Sequence, residues 1–250
     1  MRIKKFQKYI LYSVISLATL IRIFHNYNWR LWGSDSGEYL YLTRYLMEKG
    51  NMLNEDYIGW GRAYPDFQGM QILTGTISLL TNIEYHYILM WFIPFVSALS
   101  IPMLFIIGKK IVDFIPALFG AAFYGVTFGV VYANSHPMPG GLAETLGLVF
   151  LYSWIKCLEN SKFYEVKYPW NGILIVSFLG LLITHHFTLL LMCAAIVGII
   201  CIEIAAGNKE KIKQSIIALS IISLVTSAYW LIYAESFSKM LEKSAFDFLP

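Results

Sequence analysis

Seven long apolar runs, separated by short polar stretches, dominate the chain: Tyr9 to Tyr27, His86 to Ile107, Phe114 to Tyr132, Leu142 to Cys157, Trp170 to Thr184, Phe187 to Ala206 and Ser215 to Glu235. A helix needs about 20 apolar residues to cross the hydrocarbon core of a bilayer. The pattern therefore predicts an all-α membrane protein of about seven transmembrane helices, a single module over residues 1–250 with no soluble domain. The fourth and fifth runs are the shortest. Pro94, Pro102 and Pro116 fall inside runs, which membrane helices tolerate because neighbouring groups satisfy the freed backbone.

The polar interval at about residues 28–85 carries two further periodic patterns. In WGSDSGEYLYLTRYLMEKG, Tyr39, Leu42, Tyr45 and Leu46 share a face at the 3.6 period, Arg44 and Glu48 point elsewhere, and Gly50 supplies a stop. After AYPDFQG, Met70, Leu73, Ile77 and Leu80 share a face over a stretch too short for a crossing. The first predicts a helix lying on the membrane surface, the second an interfacial or re-entrant one.

Composition agrees with the pattern. Hydrophobic residues make up 57% and charged residues only 14% of the chain, a balance at odds with an ordinary soluble surface. Aromatic residues reach 16%, with Tyr and Trp near the ends of the runs, where they fit the headgroup layer. MRIKKFQK precedes the first run with no small-residue cleavage site after it, so that run reads as an uncleaved span. Cys157, Cys193 and Cys201 have no CxxC spacing and read as packing residues. The net charge of +3 is small, and no P-loop, GxGxxG, zinc-protease motif or basic-aromatic surface is present, which disfavours ATPase, dinucleotide and nucleic-acid functions.

Charge sets the expected orientation, because short cytoplasmic loops hold the excess of Lys and Arg. Arg2, Lys4, Lys5 and Lys8 precede the first run, and Lys109 and Lys110 follow the second. Lys156, Lys162 and Lys167 follow the fourth, and Lys209, Lys211 and Lys213 follow the sixth. With seven spans all four clusters fall on one side, which places the N-terminus in the cytoplasm of a cell whose plasma membrane holds the protein. The opposite, extracytoplasmic boundary then receives His25, His86, His136, His185 and His186 together with Arg22, Asp35, Glu38 and Glu144. Ionisable groups near lipid are costly, so a shared depth for so many points to a polar cavity open to that face. Individual side chains that snorkel to water are the alternative.

Asp35 and Glu38 are the candidate catalytic pair: a carboxylate there can take a proton from an acceptor or share a divalent cation such as Mg or Mn with its i+3 neighbour. The same Asp-Ser-Gly-Glu spacing fits a helix capping box, which explains both residues without chemistry. Arg44 and Arg62 are candidates for phosphate recognition, as are His136, His185 and His186, although the His pair lacks HExxH spacing. Glu144, one turn into the fourth run, is a candidate partner for Arg22 or for an acceptor; a helix N-terminus that welcomes negative charge accounts for it equally.

The order of these parts resembles the GT-C superfamily of integral membrane glycosyltransferases, which includes protein O-mannosyltransferases, aminoarabinose transferases and oligosaccharyltransferase catalytic subunits. The resemblance rests on SDSGEYLYLTRYLMEKG, AYPDFQG and FIIGKK and, less distinctively, on HPMPGGLAE and THHFT. It implies a polyprenyl-phosphate-linked sugar donor, inverting transfer at the outer face, and Asp35 as the acidic residue of the first outer loop. GT-C enzymes usually have more spans and many carry a soluble C-terminal domain, so the resemblance implies a catalytic half, a minimal member or a non-catalytic relative. The competing expectation from another class is a small-solute or ion transporter, which would place its ionisable groups near the bilayer midplane in two related halves.

Overall fold

The computed structural model describes residues 2–24, 26, 27, 31–51, 57, 59, 63–160, 163, 168–234 and 237–239, with only the backbone given for 2–6. His25, Arg30, Arg62, Lys162 and Lys167 lie outside the described residues. Among the described residues the chain is all helical. The helices are α1 (Arg2–Phe24), α2 (Ser36–Lys49), α3 (Gly69–Thr81) and α4 (Tyr85–Ile111). There follow α5 (Phe114–Val126), α6 (Phe128–Asn134), α7 (Pro139–Asn160), α8 (Pro169–Thr184), α9 (His186–Ala205) and α10 (Lys209–Ile232). Among the described residues each of the seven apolar runs is largely helical.

Four helices, α4, α7, α9 and α10, are long and apolar enough to cross a membrane, and α5 with α6 makes a fifth if that pair, bent by 64°, is one span. The 16 residues of α8 extend about 24 Å at the helical rise, short of a hydrocarbon core of about 30 Å. The exterior is apolar: Phe119, Phe123 and Phe128 are more than 70% exposed, as are Leu224 and Leu231. Soluble proteins do not carry apolar surface on that scale, and the chain is a membrane protein.

α3 packs inward through Met70 and Leu73 of the face expected for it, with Ile77 half-buried. Leu80 and Leu79 point outward, while Met70, Gln71, Thr74, Gly75 and Ser78 are buried. In lipid there is no drive to hide leucine, and small or polar residues give the closest helix packing. α2 follows the expected face, with Tyr39 and Leu42 buried, and its C-cap Gly50 is left-handed (φ 74°) with its N–H on the Leu46 carbonyl.

Among the described residues, three of the four hydrophobic clusters organise the bundle. One joins α7, α8, α9 and α10 around Phe150, Trp154, Phe178, Leu181 and Leu189. A second joins α1, α4 and α5 through Ala18, Ile101 and Ala121. The third, Tyr39, Met70, Leu89, Ile93 and Leu142, ties the two loop helices to α4 and α7.

The helices also define two ends. Lys110 and Lys156 both reach Glu159, at 2.5 and 3.2 Å, which puts the end of α4 beside the end of α7. Lys211 faces Glu203 at 3.9 Å at the junction of α9 and α10. At the other end a Cβ on Gly140, at the start of α7, would lie 3.9 Å from the His185 ring at the α8–α9 turn. The basic clusters described here and the candidate site occupy opposite ends of the bundle.

Candidate functional site

Two helix breaks build the site. In α4 a π-helical stretch, Ile88–Phe92, precedes Pro94. Proline has no N–H to give the carbonyl four residues back, so the Met90 carbonyl is free, and it accepts from Asn26 Nδ2 at 2.6 Å. Asn26 is fully buried and also reaches the Ser135 carbonyl at 3.4 Å. Trp32 Nε1 donates to the same carbonyl at 3.0 Å. The end of α1, the π turn and the residue before His136 are thus stapled together. π turns inside α-helices recur at functional sites.

The second break lies between α5 and α6, where Thr127 is extended (φ −62°, ψ 123°). It strands the Gly125 carbonyl, which accepts from Arg22 Nη1 at 2.8 Å; the same nitrogen donates to Ala18 within α1 at 3.0 Å. Arg22 is fully buried and caps the broken end, a cation where the helix dipole favours one. It forms no ion pair with Glu144 among the described residues; Glu144 accepts from Asn134 Nδ2 at 2.9 Å.

Gly33 starts the site proper. Its φ of +103° is open to glycine, and a Cβ there would sit 2.4 Å from the His136 ring. The Trp32 ring centroid is 5.0 Å from that of His136, so the Trp32-Gly33 turn rests on the imidazole. Two residues on, Asp35 is 5% exposed. It occupies the N-cap position of α2, but its side chain makes no capping hydrogen bond. Instead Oδ2 accepts from the Tyr64 hydroxyl at 2.8 Å, and Oδ1 is buried with no hydrogen-bond partner. Glu38 does not reach back to the helix start either: its Oε2 accepts from the Tyr57 hydroxyl at 2.5 Å. The capping box suggested by the spacing is not formed.

The tyrosines make a relay. The Tyr39 hydroxyl is a hydrogen-bond partner of Tyr64, and the two rings lie 5.1 Å apart. Burial, with the Asp35 carboxylate beside it, pushes the Tyr64 phenol up to about 12, so it remains a donor at neutral pH. Burial holds His136 below the ordinary imidazole range, with the Tyr132 carbonyl and the Asp35 charge acting the other way. Its Nδ1 has no partner.

The turn Tyr64–Asp66 connects this cluster to the histidine pair. While Tyr64 faces Asp35, Asp66 Oδ2 accepts from the Phe237 N–H at 2.9 Å and the Asp66 carbonyl accepts from the Tyr229 hydroxyl at 2.7 Å. Phe67 packs 4.7 Å from His186, centroid to centroid, and Phe237 4.2 Å from it. His185 caps α9, its Nδ1 accepting from the Thr188 N–H at 3.3 Å. Burial, then the neighbouring His186, lower it to about 4. The two adjacent rings lie 5.6 Å apart, centroid to centroid, tilted by 30°.

No protein-family model and no curated protein matches the chain.

Of the residues singled out in the sequence, the structure brings Asp35, Glu38 and His136 to one cluster and sets His185 and His186 beyond the Tyr64–Asp66 turn. Glu144 lies a layer deeper. Arg44 is turned to solvent and paired with Glu48 at 2.7 Å, and Arg62 lies outside the described residues. No group of three or more His, Cys, Asp or Glu placed to hold a metal occurs among the described residues. Asp35 and Glu38 each accept from a different tyrosine. Tyr57, Tyr64 and Asn26 were not marked by sequence reasoning. Pro94 was the available signal for a freed carbonyl, but not for the side chain that fills it.

Proposed function

We propose that the protein is a GT-C-type glycosyltransferase that moves a sugar from a polyprenyl-phosphate donor to an acceptor, with inversion, and that Asp35 is its base. One observation carries the reading: a buried carboxylate at a helix start declines the cap and keeps Oδ1 unpaired while Tyr64 fixes Oδ2. Buried polar atoms without partners are rare and costly in native proteins. A carboxylate locked by one oxygen and bare at the other suits proton abstraction, where geometry comes before pKa.

In this reading Oδ1 takes the proton of the acceptor nucleophile as that nucleophile attacks the anomeric carbon. The bond to the donor phosphate breaks, and its electron pair leaves with the phosphate. Tyr64 remains protonated and holds the carboxylate in line. The proposal includes seven spans, with α1, α8 and the bent α5–α6 pair joining the four long helices. It sets the basic end in the cytoplasm and the Asp35 end outside the plasma membrane.

Membranes that carry the wild type or Asp35→Asn, supplied with polyprenyl-phosphate sugars, test it. The expected result is sugar release by the wild type and a loss of about a thousandfold or more in the variant, a span typical of removing a general base with its orientation. Equal rates remove Asp35 from the chemistry. A wild type inert toward every such donor removes the transferase reading.

One observation favours a transporter instead: Arg22 is fully buried within the bundle, as intramembrane cations on solute pathways are. Solute uptake into proteoliposomes, abolished by Arg22→Gln, would establish it.

A further inference from the structure

The Tyr64–Asp66 turn is held at both ends, and the chemistry at Asp35 uses one of them. Tyr64 bonds Asp35, whereas Asp66 offers its carbonyl to the Tyr229 hydroxyl of α10 and its Oδ2 to the Phe237 N–H, 171 positions along the chain. The segment past α10 is anchored to that helix. The Ala234 N–H bonds the Tyr229 carbonyl at 3.2 Å, the Ser238 N–H bonds the Ala234 carbonyl at 2.9 Å, and the Ser238 hydroxyl returns to the Trp230 carbonyl. Phe237 is 2% exposed, its ring centroid 5.4 Å from that of Phe67 and 5.1 Å from that of Trp230. The largely lipid-exposed α10 packs on α9 and α7, and through this grip it reaches the Asp35 cluster.

The turn between the two holds is stiff. Pro65 is buried, and its ring fixes φ. The Asp66 N–H bonds the Ala63 carbonyl at 3.1 Å, and the Phe67 N–H bonds the Tyr64 carbonyl at 3.2 Å. The Pro65 carbonyl accepts from Gln68 Nε2 at 2.9 Å. All three carbonyls of the turn are therefore engaged, and a shift at Asp66 passes to Tyr64 instead of being absorbed between them. A carboxylate on the Phe237 N–H makes the grip firm, because a hydrogen bond to an ionised acceptor is stronger than one between neutral groups.

We propose that Asp66 is a positioning residue for Asp35: by gripping Phe237 and Tyr229 it seats the Tyr64–Asp66 turn, and through Tyr64 it sets the direction of the Asp35 carboxylate. Without the grip the turn shifts, the Tyr64 hydroxyl leaves Oδ2, and Oδ1 loses its fixed aim. A misplacement of about 1 Å, introduced far from the reacting atoms, can cost about a hundredfold in rate. The catalytic use of Asp35 rests on the transferase reading; the seating itself requires no substrate.

Labelling of Asp35 by dicyclohexylcarbodiimide, an apolar reagent for carboxyl groups in membranes, reads the seating without a sugar donor. On the full-length protein in lipid nanodiscs, with adducts measured by peptide mass spectrometry, Asp66→Ala is expected to speed labelling of Asp35 by about tenfold, as a local opening does. Glu144, bonded to Asn134 on α6, should label at its wild-type rate. Asp66→Asn keeps an oxygen for the Phe237 N–H and should restore slow labelling of Asp35. Phe237→Ala removes the ring that anchors the segment; it should speed Asp35 alone, and it serves if Asp66→Ala does not fold. In a Tyr64→Phe background, where Asp35 is already released, Asp66→Ala should add less than about twofold, because residues that act through one contact are non-additive. The proposal fails if Asp35 is not accelerated, if Glu144 is accelerated equally, if asparagine does not rescue, or if the full effect persists without the Tyr64 hydroxyl. In the transferase assay Asp66→Ala should lower kcat by about tenfold at an unchanged donor KM, and an unchanged kcat in an active enzyme overturns the positioning role. A wild type inert toward every donor removes the transferase reading and leaves the labelling to decide the seating.

Discussion

Asp35 owes its rigidity to a neighbour in space, 29 positions along the chain. The Tyr64 hydroxyl that holds Oδ2 is worth roughly 1 to 3 kcal/mol as a hydrogen bond to a charged group. Tyr64→Phe keeps the ring against Tyr39 and removes the hydroxyl's bonds to Asp35 and Tyr39. The expected outcome is a fall in turnover of one to two orders of magnitude, about 1.4 kcal/mol per tenfold, with a smaller loss of thermal stability. Unchanged turnover would leave Tyr64 as packing alone. His185 supplies a different residue-scale prediction, since it is held near 4 when folded against an ordinary value of 6.5. The unfolded chain takes up the proton first as pH falls through 6.5, so stability is lost between there and about pH 4, on the order of 3 kcal/mol. Protonation also removes the acceptor that caps α9. Melting temperatures followed over that range should fall for the wild type and stay flatter for His185→Asn, which retains a cap acceptor and does not titrate.

At the scale of elements, α2 starts from a turn that only glycine fits. Gly33→Ala places a Cβ at positive φ and drives it into the His136 ring, two costs that together reach ~2 kcal/mol or more. Thermal unfolding in detergent should register that loss, and the Trp32–His136 contact should open with it; an alanine variant as stable as the wild type would mean that the turn relaxes freely. The helices themselves were legible in the sequence because a membrane segment advertises itself by length and apolarity. The face of α3 was legible in part: Met70 and Leu73 of the predicted stripe pack inward, while Leu80 at its end is exposed. Asp35, Glu38 and His136 were legible as residues. Their partners were not, because Tyr57, Tyr64 and Asn26 reach them only through the tertiary fold. The capping box shows the limit from the other side: its spacing is present, and both carboxylates are taken by tyrosines instead.

At the scale of the whole molecule the consequence is sidedness. The Lys110–Glu159–Lys156 cluster and the Lys211–Glu203 pair lie at one end of the bundle, and the Asp35 cluster with His136, His185 and His186 at the other. Two ends with such different charge cross a bilayer in one orientation, since Lys and Arg are retained on the cytoplasmic side. In the proposed transferase, that orientation decides which compartment supplies the acceptor, for Asp35 acts only on what reaches its end. With Cys157, Cys193 and Cys201 replaced by serine or alanine, single cysteines at exposed Glu84 and Asn208 would report the two ends. Glu84→Cys should react with a membrane-impermeant maleimide in intact cells, and Asn208→Cys only after the membrane is opened. The reversed pattern would move the site into the cytoplasm, where soluble nucleotide-linked donors are at hand and a lipid-linked donor has no advantage. Labelling of both positions from the same side would break the two-ended arrangement itself, and with it the reason to read the buried layer around Asp35 as a site facing one compartment.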